Sequence, residues 1–111
     1  MTTRISTGTA VVLGPMSDVQ AGEGRAYAVG ELQIAVFRLS DGTLRATDAA
    51  CPHNGGPLAD GQSDLGVVVC PLHQYAFRFS DGGCTTAGIG SVRTYRISDQ
   101  DGQIVVVIDP A

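Results

Sequence analysis

The sequence predicts an all-β fold, and three observations carry that prediction. Short stretches of alternating, β-branched residues recur along the whole chain. Fifteen glycines and five prolines in 111 residues imply many turns. No segment of ten or more positions carries an apolar 3.6-residue repeat, so a long helix is not expected.

Taken in order, the strand-like stretches are Thr9 to Leu13, Arg25 to Val29, Gln33 to Arg38, Leu44 to Asp48, Gly66 to Val69, Tyr75 to Phe79, Val92 to Ile97 and Ile104 to Ile108. Met16 to Val19 is short enough for a single helical turn. Asp41-Gly42, Asp81-Gly82 and Asp101-Gly102 lie between strand-like stretches and predict hairpin turns. Tyr75, Phe77 and Phe79 alternate, which predicts a strand packing one face. A chain of this length holds one core, so residues 1–111 are expected to form one domain.

Composition narrows the function. All seven basic residues are Arg, against eleven acidic ones, giving a formal charge of −4. Nucleic acid is therefore not an expected partner, since phosphate neutralisation needs a basic patch. Met1 to Gln20 has one Arg and only short apolar pieces such as Ala10-Val11-Val12-Leu13, too little for a signal peptide or membrane span. The expected location is the cytoplasm, with no membrane contact. Three cysteines in a reducing compartment read as metal ligands or buried hydrophobes rather than as a disulfide scaffold.

Two segments break the strand pattern, at about 49–65 and 70–75, and each holds a His beside a Cys. The first reads Cys51-Pro52-His53 and the second Cys70-Pro71-Leu72-His73, with sixteen residues between His53 and Cys70. Two thiolates and two imidazoles can hold zinc tetrahedrally, or a binuclear iron cluster with both thiolates on one iron and both imidazoles on the other. The spacing alone allows both. The flanks, Asn54-Gly55-Gly56-Pro57-Leu58 and a Pro after each Cys, shape loops around a compact cofactor and start no helix of the kind that carries zinc-finger histidines. Cys84 has no His companion and is expected to be structural or incidental.

At these residues the sequence resembles the Rieske family, whose two loops read C-x-H and C-x-x-H in the same order and at similar separation. The resemblance covers nearly the whole chain. It implies an antiparallel β-sandwich or barrel with a cluster-binding subdomain of two loops. It also implies one [2Fe-2S] cluster, with Cys51 and Cys70 on one iron and His53 and His73 on the other. Because the imidazoles are neutral, such a site goes from zero to −1 on reduction rather than from −2 to −3, which raises its potential above that of all-cysteine ferredoxins.

Within the family, Gly56 and Leu72 stand where respiratory members carry a disulfide pair. Tyr75 and Phe77 stand where those members carry hydroxyl donors to the cluster sulfurs. The resemblance therefore implies a potential in the lower part of the Rieske span, about −150 to 0 mV. Gly22-Glu23-Gly24-Arg25, Ile34 to Arg38 and Cys51 to Gly61 look most like the small subunit of assimilatory NAD(P)H nitrite reductase. That likeness implies an electron-transfer subunit, not a catalyst alone, whose large partner carries flavin and sirohaem and reduces nitrite to ammonia. A second reading is a ferredoxin carrying electrons from a reductase to a ring-hydroxylating oxygenase, and a third is a non-redox assembly module with a structural metal.

Overall fold

The computed structural model describes residues 8–52, 56–64, 66–72, 74–86 and 88–108. Nine strands are present among them: β1 (Thr9–Pro15), β2 (Glu23–Val29), β3 (Leu32–Arg38), β4 (Leu44–Asp48), β5 (Gln62–Ser63), β6 (Val67–Val69), β7 (Ala76–Arg78), β8 (Thr94–Gln100) and β9 (Gln103–Ile108). All pairings are antiparallel. Six strands form one sheet in the order β1-β9-β8-β4-β3-β2, curled into a half-barrel, and β5-β6-β7 form a second sheet.

Eight of the nine strands fall on stretches read from the sequence, and β4 matches at both ends. The ninth, β5, and the 3-10 turn at Leu58–Asp60 lie inside the segment expected to be loop. Their two- and three-residue lengths are too short for periodicity to register. The single helical turn near residue 16 is present as Met16–Asp18.

Two of the three Asp-Gly turns close hairpins between consecutive strands, β3–β4 and β8–β9. At the latter, Asp101 and Gly102 both take positive φ, 54° and 82°, as a two-residue turn of this hand requires. The Asp81-Gly82 turn differs. It folds the chain back through Phe77↔Cys84 and Gly83↔Ser91 bridges, so β7 pairs with residues just past the turn rather than with β8. The Asp81 carboxylate fixes this return: it accepts the Gly83 N–H at 2.8 Å and pairs with Arg78 at 3.2 Å. A further two-residue hairpin, Gly30-Glu31 between β2 and β3, has no Asn-Gly or Asp-Gly signature and was not expected.

Burial divides into two cores. Ile34, Val36, Ala46, Tyr95, Ile104 and Val106 pack within the half-barrel. Ala35, Phe37, Leu39, Leu58, Val68, Phe77 and Phe79 pack on the other side, together with Cys51 and Cys70. Strand β3 feeds both, because alternate residues of a strand face opposite ways and Ile34 to Phe37 are all fully buried. Phe77 and Phe79 pack as the alternation predicts, with Phe79 meeting Phe37 at 5.3 Å between ring centres. Among the described residues, no helix is long and apolar enough to cross a membrane.

Candidate metal centre

The first ligand loop leaves β4 through a ladder of main-chain bonds. Asp48 N–H donates to Arg93 C=O at 2.9 Å and Ala49 N–H to Gln33 C=O at 2.9 Å. The loop then pinches shut: Ala50 bridges Pro57, Leu58 N–H donates to Ala49 C=O at 2.9 Å and Cys51 N–H donates to Gly56 C=O at 2.8 Å. The second loop is a tight connection from β6 to β7. Cys70 N–H donates to Tyr75 C=O at 2.8 Å and Gln74 N–H to Cys70 C=O at 2.9 Å, with Gln74 at φ 60°.

These two closures carry Cys51 and Cys70 into one core as buried thiols, 2% and 0% exposed. The loops touch at Gly56. A Cβ there would stand 2.8 Å from Cys70 Sγ and 3.2 Å from the Leu72 side chain. Gly56 and Leu72, the pair that the family resemblance singled out, are thus neighbours in space. Leu72 is 56% exposed, and Pro52, Pro57 and Pro71 are exposed too, so both loops present apolar groups to solvent next to the buried thiols.

His53 and His73 lie outside the described residues, as do Asn54 and Gly55. Of the four expected ligands, the structure therefore shows the two thiols. Their environment fits a compact iron-sulfur group: two water-excluded sulfurs in one core, and a glycine where a Cβ would crowd a thiol.

Sequence reasoning missed two parts of this centre. The first is a third wall. Residues 84–86 and 88–92 form it, with the Gly90 Cβ position 4.0 Å from Pro52 Cβ of the first loop and Ile89 packed on the thiol-containing core. Nothing in Thr85 to Gly90 carries chemistry, so only the fold reveals it. Cys84 sits at the start of this wall, half-buried, its sulfur accepting the Thr86 N–H at 3.4 Å.

The second is a polar clasp at the root of the first loop. Asp48 Oδ1 accepts the Tyr95 hydroxyl at 2.7 Å and Oδ2 accepts the Arg93 N–H at 3.0 Å. The Arg93 guanidinium lies over the Tyr95 ring at 4.8 Å. Burial, and then the bond to the Asp48 carboxylate, push the Tyr95 phenol up to about 12. The clasp joins the start of the first loop to the end of the third wall across 47 residues of sequence.

Comparison with known proteins agrees with this geometry. A family model described as the Rieske [2Fe-2S] domain matches residues 9–96. The anthranilate 1,2-dioxygenase ferredoxin subunit of Burkholderia cepacia is 37% identical over 95 residues, covering 85% of this chain and 87% of that protein. The oxygenase component of 3-ketosteroid-9-alpha-monooxygenase of Rhodococcus rhodochrous is 30% identical over 105 residues, of which this chain spans only 27% of the length. Among solved structures, a Mycobacterium tuberculosis protein assigned as an NADH-dependent nitrite reductase small subunit superposes with a TM-score of 0.86. It is 25% identical and covers 96% of this chain and 100% of its own. The Sphingomonas yanoikuyae B1 ferredoxin gives 0.76 at 28% identity, over 93% of this chain and 100% of its own. Matched over most of its length by the family model and built around two buried loop thiols, the chain belongs to the Rieske [2Fe-2S] domain family, whose cofactor is one [2Fe-2S] cluster.

Proposed function

We propose that residues 1–111 act as a single Rieske domain that carries electrons one at a time, with Cys51 and Cys70 on one iron and His53 and His73 on the other. The observation that carries this reading is the pair of buried thiols brought into one core by two closed loops that meet at Gly56. The bound cluster supplies a one-electron redox centre. The chain's own residues exclude water from the sulfurs, through Leu58, Phe77 and Ile89, and hold the loop roots rigid. Purified protein is expected to be brown, with about two irons and two labile sulfides per chain. Stoichiometric zinc without iron would overturn the reading.

Its place is the cytoplasm, as the small subunit of an assimilatory NAD(P)H-dependent nitrite reductase, delivering electrons to a large flavin- and sirohaem-bearing subunit. Support comes from the end-to-end likeness to the Mycobacterium tuberculosis small subunit. A ferredoxin serving a ring-hydroxylating oxygenase and its reductase is the second reading. It is favoured by 37% identity to a dioxygenase ferredoxin across nearly the whole of both chains. Affinity purification of the tagged holoprotein from its own cells separates the two: a sirohaem enzyme co-purifies in the first case, an oxygenase or its reductase in the second.

A further inference from the structure

A cavity of about 610 Å³ opens on the far flank of the second ligand loop, lined among others by Asp60, Gln62, Val69, Cys70, Pro71 and Gln74. Its described lining comes from the end of the first loop, at Asp60 to Gln62, and from the second loop, whereas Cys51, Pro52, Gly56 and Leu72 are not among the described residues that line it. We propose that this cavity is a docking port for a basic side chain of the redox partner, which brings that partner up to the loop that carries Cys70. This inference rests on the electron-carrier reading above.

The chemistry of the walls selects the occupant. Asp60 supplies a carboxylate, Gln62 and Gln74 supply carboxamides, and Val69 and Pro71 supply apolar surface. A guanidinium or ammonium on an aliphatic stem satisfies all three, with its charged head on the carboxylate and its stem on Val69 and Pro71. Among the described residues no arginine lines this cavity, whereas Arg45 and Arg96 both line the other large cleft, of about 460 Å³, between β4 and β8. In a chain of net charge −4, the opening beside Cys70 is thus a place that favours a cation.

The polar groups stand on fixed backbone, which limits the ordering cost of binding. Gln62 pairs directly with Val69 across β5 and β6. Asp60 N–H donates to Pro57 C=O at 3.1 Å, and Gln74 N–H donates to Cys70 C=O at 2.9 Å. Cys70 is among the lining residues, so a group seated in the cavity lies beside the loop that carries a proposed iron ligand.

Two measurements on the holoprotein test the port. In the first, the redox-inert trication hexaamminechromium(III) is titrated into the oxidised, 15N-labelled protein. Line broadening is expected at the Asp60, Gly61 and Gln62 amides, and broadening centred instead on the acidic turns at Asp41, Asp81 or Asp101 would overturn the proposal. In the second, the reduced protein passes one electron to tris(phenanthroline)cobalt(III), forming the cobalt(II) complex with no proton transferred, or to the anion ferricyanide. Asp60→Asn should slow the cationic reaction about tenfold at low ionic strength, less so as salt is added, and leave ferricyanide unslowed. Asp101→Asn removes the same charge at the β8–β9 turn and is the control. Equal slowing in the two variants would reduce the effect to net charge and refute the port. A protein that binds no cluster would show no electron transfer at all while still reporting the chromium footprint, so failure of the carrier reading is distinguishable from failure of the port.

Discussion

Gly56→Ala probes the contact between the two ligand loops directly. The added Cβ would stand 2.8 Å from Cys70 Sγ, whereas ordinary non-bonded contact needs about 3.5 Å, so about 0.7 Å must be absorbed. Gly56 cannot retreat freely, because its carbonyl accepts the Cys51 N–H at 2.8 Å and moving it disturbs the other thiol. Metal-ligand bonds tolerate about 0.2 Å, several times less than the required shift. Overpacking of this kind costs about 1–3 kcal/mol, which is about 5- to 150-fold in an equilibrium constant. The variant should purify with less iron than the parent and lose its visible absorbance to a chelator at least about fivefold faster, while far-UV circular dichroism still reports a folded β protein. Gly42→Ala is the control: no atom lies within 4 Å of its Cβ position, but φ is 90°. It should lower stability by about 1 kcal/mol through backbone strain and keep its full iron. A Gly56→Ala protein with two irons per chain and parental resistance to chelator would refute the reasoning.

Tyr95→Phe removes a donor from the Asp48 carboxylate and should cost about 1.5–3 kcal/mol in urea unfolding. Since the folded phenol is raised from 10.0 to about 12, its contribution is fully present below pH 10 and is lost as pH rises from 10 to about 12. The variant should lack that part of the pH dependence, and an unchanged alkaline profile would show that the clasp does not hold in solution. Replacing His53 or His73 by Ala should lose the cluster or shift its visible spectrum, whereas Cys84→Ser should alter neither. Iron loss from the Cys84 variant would show that the thiol bonded to the Thr86 amide has a role beyond packing. The midpoint potential should fall at about −150 to 0 mV, and a value above about +100 mV would reveal a donor to the sulfurs other than a side chain at Phe77, which carries none and is fully buried.

The strands and the two cysteine-bearing loops were legible because their signals are local. Leu44 to Asp48 alternates and ends in a loop rich in Pro and Gly, and the Cys-x-His and Cys-x-x-His pairs lie within three or four residues of chain. What was hidden is non-local or without chemistry. No pattern within the chain links Asp48 to Tyr95, since their bond depends on β4 and β8 becoming neighbours at the Ala46↔Tyr95 and Thr47↔Thr94 pairs. The third wall was hidden because Gly90 acts through its backbone, at φ 97°, which a sequence expresses only as the absence of a side chain. The Val92–Ile97 stretch begins pairing late, at Thr94, because Val92 N–H is already committed to Gly82 C=O and Arg93 N–H to Asp48.

Strand β3 works as a partition. Most antiparallel sheets leave one face to water, but Ala35 and Phe37 belong to the core that contains the thiols while Ile34 and Val36 belong to the core inside the half-barrel. Packing on the two sides is therefore separable at single-residue resolution. A substitution at 35 or 37 alters the cofactor's surroundings, and one at 34 or 36 alters the scaffold alone. Descendants of such a chain are free to retune the redox chemistry and the durability of the frame in independent steps, taken one position apart along seven residues.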